Sequence, residues 1–181
     1  METLIFNGSP RSNGDTAALL TAAKQRLKGE IRQIDVFGAK ISPCTDCRRC
    51  RREEGCHIQD EMQEVYAAIA RSDRLLVAAP VWFGALPGPL LTLASRLQCC
   101  FHARQFRGEQ IFFGKKGGVI LTAGGSGGLE TACFSAVIML RQMGAEGPVP
   151  LAASRQTDRL PAAKDVQALA EVEELARFLN E

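Results

Sequence analysis

Charge of one sign is what this sequence most lacks: 22 basic residues meet 20 acidic ones across 181 positions, a formal net charge of +2. So small an excess gives no footprint for nucleic acid or a membrane surface. Polar bias is lacking too, since 46% of the chain is hydrophobic, which excludes disorder and suffices for a full core. An unbroken spanning segment is also missing. The charge-free stretch 75–95 is interrupted by Pro80, Gly84, Pro87, Gly88 and Pro89, and reads as a strand, a loop and the start of a buried helix. The N-terminal apolar run Leu4-Ile5-Phe6 has no basic region and meets polar Asn7-Gly8 at once, so no signal peptide is expected and the chain reads as cytoplasmic. There is no internal repeat, no G-x-x-x-x-G-K-[ST] loop and no G-x-G-x-x-G fingerprint, which disfavours P-loop nucleotide hydrolysis and dinucleotide Rossmann binding. No conspicuous side-chain acid or base presents itself either. What is present in surplus is cysteine, seven in all. In a reducing compartment, clustered cysteines point to metal ligands or redox groups before structural disulfides.

Two apolar rhythms alternate along the chain. Buried runs and alternating patterns predict strands at 3–6, 31–37, 75–79, 118–122 and 149–152. Apolar residues at helical spacing, such as Ala17, Leu19, Leu20, Ala23 and Leu27, predict helices at 16–27, 62–70, 87–97, 130–143 and 162–178. That order predicts an α/β fold: a doubly wound, five-stranded parallel sheet with helices on both faces and ligands at the carboxyl ends of the strands. One domain over 1–181 is expected, with a cysteine-rich insertion at 42–60 after the second strand. The stretch 101–116, with His102, Arg104, Arg107, Lys115 and Lys116, reads as a mobile or interface loop.

Three loops fall where such a fold binds ligands. The first, 7–16, joins the first strand to the first helix. Amides at a helix start, hydroxyls of Ser9, Ser12 and Thr16 and the guanidinium of Arg11 together suit a phosphate, although turn and capping chemistry uses the same small polar residues. The second, Pro80-Val81-Trp82-Phe83-Gly84, offers aromatic faces and close backbone approach to a planar ring, where core or interface aromatics are the plainer alternative. The third, with Gly124, Gly125, Gly127 and Gly128, leaves room for a ligand, as a flexible turn also would.

In combination, Asn7-Gly8-Ser9-Pro10-Arg11 with Gly14-Asp15-Thr16, then Pro80 to Gly84 with Pro87, and the glycines from Gly124, this chain resembles the flavodoxin-like NADPH-dependent FMN reductases and, among them, the iron-sulfur flavoproteins. The resemblance spans about 4–140. It implies an FMN with its phosphate at Ser9, Arg11, Ser12, Asp15 and Thr16, its ring along Pro80, Val81, Trp82, Phe83 and Gly84, and an exposed ring face near Gly124, Gly125 and Gly127. It also implies a homodimer or homotetramer. Asp15 stands where the family usually has Asn; a carboxylate beside a phosphate dianion is repelled unless it turns away or is neutralised, so Asp15 is expected to cap its own helix. Trp82 stands where Tyr is more usual, keeping the flat surface.

Cys44, Cys47, Cys50 and Cys56 form C-x2-C-x2-C-x5-C. So compact a run favours a 4Fe–4S cluster over zinc, whose structural sites use two separated pairs; zinc, a redox disulfide and vacant thiols stay open. With one run only, all four cysteines bind a single cluster, as the resemblance implies. His57 could substitute as a ligand, with a solvated loop histidine the plainer reading. Arg48, Arg49, Arg51 and Arg52 lie among the candidate ligands, where they offset an anionic cluster or guide an acidic carrier if they are not simply a solvated face. Cys99, Cys100 and Cys133 read as buried packing residues.

The expected function is an FMN-dependent oxidoreductase passing electrons between a 4Fe–4S cluster and FMN, with the flavin carrying the chemistry and no side chain acting as catalyst. NAD(P)H or reduced ferredoxin is the expected donor, and a ferredoxin-like carrier or a small molecule the acceptor. The alternatives are an NAD(P)H-dependent FMN or quinone reductase without a cluster, and a non-enzymatic flavodoxin-like carrier.

Overall fold

The computed structural model describes residues 1–125 and 127–181; Ser126, inside the third loop expected to face a ring, lies outside them. Five strands, β1 (Glu2–Asn7), β2 (Glu30–Asp35), β3 (Arg74–Pro80), β4 (Lys116–Thr122) and β5 (Leu151–Ser154), pair in parallel in the order β2-β1-β3-β4-β5. This is the flavodoxin-like order, and its switch point lies between β1 and β3.

The strands are legible as apolar runs because both faces of the sheet are covered. Successive side chains point to opposite faces. Leu4, Phe6, Leu75, Val77, Val119 and Leu121 therefore join one core, while Ile5, Leu76, Ala78, Ile120 and Ala152 join the other. The first core is closed by α2 (Met62–Arg71), α3 (Gly88–Arg96) and α5 (Leu129–Gln142), and the second by α1 (Asp15–Lys24) and α6 (Val166–Asn180). The stretch 75–95 resolves into β3, a loop and α3, and among the described residues no helix is long and apolar enough to cross a membrane.

Several boundaries differ from expectation for local reasons. β2 stops at Asp35 because the chain turns there, with Gly38 N–H bonded to Asp35 O at 3.1 Å. β5 begins two residues later than predicted, at Leu151, because Pro150 has no N–H for the ladder and contributes only its carbonyl, to Val119 N–H at 3.0 Å. The terminal helix starts at Val166 rather than 162: Asp165 caps it by accepting from Ala168 N–H at 3.1 Å, leaving Ala162–Lys164 as a separate 3-10 turn. The largest correction is at 101–107. This segment is not a loop, since α3 is followed at once by α4 (Gln98–His102) and a π-helical turn over Ala103–Arg107, ended by Gly108 at φ +69°.

Candidate functional site

The loops after β1, β3 and β4 meet at the carboxyl edge of the sheet. Gly8 N–H donates to Ala78 O at 2.7 Å, and a Cβ at Gly8 would lie 3.0 Å from Ala79 Cβ and 3.1 Å from Leu90 Cδ2, so any larger residue would have to push these neighbours back for the first loop to sit this close to β3. Ser9 N–H bonds to Asn7 Oδ1 and Arg11 N–H to Ser9 Oγ, folding the loop back on itself. α1 then starts at Asp15 with Gly14 as its N-cap and no side-chain cap among the described residues. The first N–H groups of a helix have no intrahelical partner, so they face this loop free to receive an anion. Ser12 is exposed and, with Ser9, lines a cleft bordered by α1, β2 and Phe37, whereas the Thr16 hydroxyl is buried and shares a 2.7 Å hydrogen bond with Thr122 Oγ1 at the end of β4.

Asp15 does not cap its own helix, contrary to expectation. Its Oδ1 accepts from Ala162 N–H at 2.9 Å, and its Oδ2 lies 4.0 Å from the exposed Arg11 guanidinium. The backbone of the terminal 3-10 turn competes better for the carboxylate than α1 does. The carboxylate is thereby turned toward the chain's C-terminal segment, which relieves the repulsion that a phosphate in this loop would otherwise meet.

The second loop is a tight turn. Trp82 and Ala85 exchange N–H···O bonds of 3.0 and 2.9 Å, with Phe83 at φ +51° and Gly84 at φ +73°, the paired left-handed geometry of a type I′ turn. Trp82 is 43% exposed and Phe83 wholly so, which makes them available to a ring and not part of the core. Phe37, which the sequence did not single out, packs edge-on against Trp82 at 5.9 Å. The second and third loops touch at two glycines: a Cβ on Gly128, at φ +79°, would fall 2.3 Å from Gly84 Cα. Around Gly125 and Gly127 the space is open, while Gly124 abuts the Asp158 carboxylate, bringing the loop after β5 to this edge. Asp158 carried no signal in the sequence, because the contact depends on β5 lying next to β4.

The cysteine segment has no regular structure apart from the 3-10 turn Arg49–Arg51. Cys44, Cys47, Cys50 and Cys56 nevertheless line one cavity, together with His57, Arg96, Cys99 and His102. All four thiols are free of disulfides. The segment is pinned from both sides: Ser42 N–H bonds to Asp60 Oδ2 at 2.9 Å, Cys44 N–H to Ser95 Oγ at 3.0 Å, and Arg107 Nη1 to the carbonyls of Cys50 and Glu53. Cys47 Sγ meets His57 Nδ1 and Cys50 Sγ meets His102 Nδ1, each at 3.2 Å, so His57 contacts a thiol and is not merely solvated. Burial, and behind it the neighbouring Cys99, Cys56 and Cys44 thiols, push the Cys50 thiol up, as expected where like charges would crowd without a cation among them. Among the described residues no three His, Cys, Asp or Glu donors already converge on a single ion; the thiols share a wall, not a point.

That wall is what sequence reasoning missed. Cys99 is buried, as expected, but it faces this cavity and donates to Tyr66 Oη, which in turn donates to Arg96 O at 2.7 Å. The arginines within the segment are mostly engaged elsewhere. Arg48 pairs with Asp46 at 3.1 Å, Arg49 with Glu53 at 3.0 Å, and Arg51 lies over the Phe106 ring at 4.6 Å. Pairs this exposed are worth little. The guanidinium buried against the thiols belongs to Arg96, from α3.

Comparison with known proteins agrees with this architecture. A family model described as NADPH-dependent FMN reductase matches residues 1–153. An iron-sulfur flavoprotein of Methanosarcina thermophila is 31% identical over 130 residues, 69% of this chain and 65% of that protein. Another, from Methanocaldococcus jannaschii, is 32% identical over 136 residues, covering 73% of this chain and 67% of that one. The chain thus spans about two thirds of the length of the curated relatives it matches. An NAD(P)H:quinone oxidoreductase from Methanothermobacter marburgensis shares the fold with a TM-score of 0.75 at 16% identity, over 100% of this chain and 98% of that one.

Proposed function

The chain belongs to the NADPH-dependent FMN reductase family, and on that premise we propose that it is an FMN-dependent oxidoreductase carrying a 4Fe–4S cluster on Cys44, Cys47, Cys50 and Cys56. The observation that carries the cluster is that these four disulfide-free thiols line one cavity beside a buried guanidinium. The donor set is all-thiolate, as such clusters use.

The FMN fits the carboxyl edge. The uncapped start of α1, Ser9, Ser12 and Arg11 would hold its phosphate, Trp82 and Phe83 would offer faces for its ring, and the open space at Gly125 and Gly127 would admit a second planar molecule. When bound, FMN supplies one- and two-electron transfer and the cluster supplies one-electron transfer, which suits a protein joining a hydride donor to a one-electron carrier. The two sites lie at opposite ends of α3, from Gly88 to Arg96, a helix length of about 12 Å at 1.5 Å per residue. NAD(P)H or a reduced ferredoxin-like protein is the proposed donor, a ferredoxin-like carrier or small molecule the acceptor, and a homodimer or homotetramer the assembly.

Anaerobic purification tests the assignment. Flavin bands with a broad iron-sulfur absorption and about four irons per chain are expected. Flavin without iron, bleached rapidly by NADPH, favours the cluster-free FMN or quinone reductase, and failure to retain FMN after reconstitution removes both readings.

Asp15→Asn gives a finer test of the phosphate loop. The amide keeps an oxygen for Ala162 N–H but releases Arg11 from its carboxylate partner. FMN is expected to bind about two- to fivefold more tightly by titration calorimetry, the worth of an exposed pair, while stability falls by a few tenths of a kcal/mol from the lost charge at the helix start. Weaker binding would mean that the carboxylate itself contacts the cofactor.

A further inference from the structure

One group in the cysteine cavity has no role in the ligand set. Arg96, the last residue of α3, is 1% exposed, and its guanidinium holds both ends of the cysteine segment. Nη1 donates to Ser42 O at 3.0 Å and to Asp60 Oδ2 at 2.7 Å, and Nη2 donates to Ile58 O at 3.0 Å. Burial alone would raise the Asp60 carboxyl, but the N–H bonds from Ser42 and Met62, with Arg96, hold it below the ordinary carboxylate range, so the partner of the guanidinium stays anionic. Nε is different: it is buried and has no hydrogen-bond partner among the described residues.

Leaving a buried charged donor unsatisfied costs more than leaving a neutral one so, and native structures leave few such groups without a reason. Arg51 Nε and Arg74 Nε are also buried without a partner, but the first guanidinium lies over Phe106, the second is held at the start of β3 by Lys28 O and Asn180 Oδ1, and neither lines the cavity. Arg96 does line it, beside all four cysteines. What fills the cavity can therefore supply the missing acceptor, best as an anionic or strongly polarised atom. Cluster sulfurs and thiolates answer that description.

We propose, resting on the cluster reading above, that Arg96 Nε–H donates a hydrogen bond to a sulfur of the bound cluster and so raises its reduction potential. Reduction adds one electron to a group that four thiolates already make negative, so a fixed donor stabilises the reduced form more than the oxidised one. Arg96 is thus a positioning residue with two duties: its Nη atoms close the loop ends, and its Nε tunes what the loop holds. The arginines of the loop itself contribute little: Arg48 and Arg49 are paired at the surface, Arg51 is stacked on Phe106 and Arg52 is exposed.

The test uses the full chain, purified anaerobically, with iron analysis and an EPR-monitored redox titration. Arg96→Lys keeps the charge and loses Nε. It is expected to retain iron and lower the cluster potential enough to cut the reduced-to-oxidised ratio about tenfold at a fixed ambient potential, which is 59 mV for a one-electron couple. Arg52→Gln, removing an exposed charge in the same loop, is expected to shift that ratio less than twofold. An iron-replete Arg96→Lys with unshifted potential overturns the assignment while leaving the cluster reading intact; wild-type protein without iron overturns both. Should the Lys variant lose its iron, the wild-type chain grown on arginine labelled with nitrogen-15 at Nε decides the matter. Its reduced cluster is expected to show a nitrogen-15 coupling in pulsed ENDOR, and absence of that coupling overturns the proposal.

Discussion

Cys50→Ser, expressed and purified anaerobically, is expected to hold less than one iron per chain in place of about four, and to lose the broad iron-sulfur absorption while keeping its flavin. Serine is nearly isosteric, but its hydroxyl is a hard, neutral donor at physiological pH where iron-sulfur clusters take soft thiolates. Cys50 is well placed for the test because it is half-buried, faces His102, and sits in a carbonyl clamp from Arg107 that the substitution leaves untouched. Flavin retention follows from position: the phosphate loop packs at Leu90 and the ring loop leads into Gly88, both in the first turn of α3, whereas Cys44 is tied to Ser95 in its last turn. Cys99→Ser is the matched control. Cys99 lines the same cavity but is tied to Tyr66, so that variant is expected to keep its iron. Full iron in Cys50→Ser, or equal loss in Cys99→Ser, would show that the ligand set has been misassigned.

Arg11→Ala is expected to raise the FMN dissociation constant about 10- to 100-fold, the worth of one hydrogen bond to a charged group at ~1.5–3 kcal/mol. Its effect on riboflavin, which has the same ring and no phosphate, is expected to be nil. Arg11 stands at the mouth of the uncapped helix start with only a long 4.0 Å contact to Asp15, so its guanidinium is available to an incoming dianion. Because the side chain is largely exposed, the loss should shrink as ionic strength rises. Both affinities can be read from quenching of flavin fluorescence. Equal losses for FMN and riboflavin would place Arg11 against the ring instead, and no loss for either would move the phosphate elsewhere.

How legible each feature was follows from the range of the interactions that make it. Strands such as 3–6 and 75–79 announced themselves because a parallel sheet covered on both faces needs unbroken apolar runs, and the observed β1 and β3 exceed those spans by only one residue at each end. Pro150 delays β5 and Asp165 sets the start of α6 through local chemistry, a missing N–H in one case and a side-chain cap in the other. The stretch 101–107 was misread because polar His102, Arg104 and Arg107 look like loop residues. Their reason for being helical is the cysteine segment that His102 and Arg107 touch about fifty residues away.

By itself, then, the sequence determined the fold's order, the cysteine spacing and the composition of the three loops, since these depend on periodicity and on neighbours in the chain. Long-range packing turns Asp15 to Ala162, brings two loops into contact at Gly84 and Gly128, and walls the cysteine cavity with Arg96, Cys99 and His102. Each of those facts joins residues tens of positions apart. Side-chain identity says what a group can donate or accept, but the partner is chosen by packing of the strands and helices that carry it.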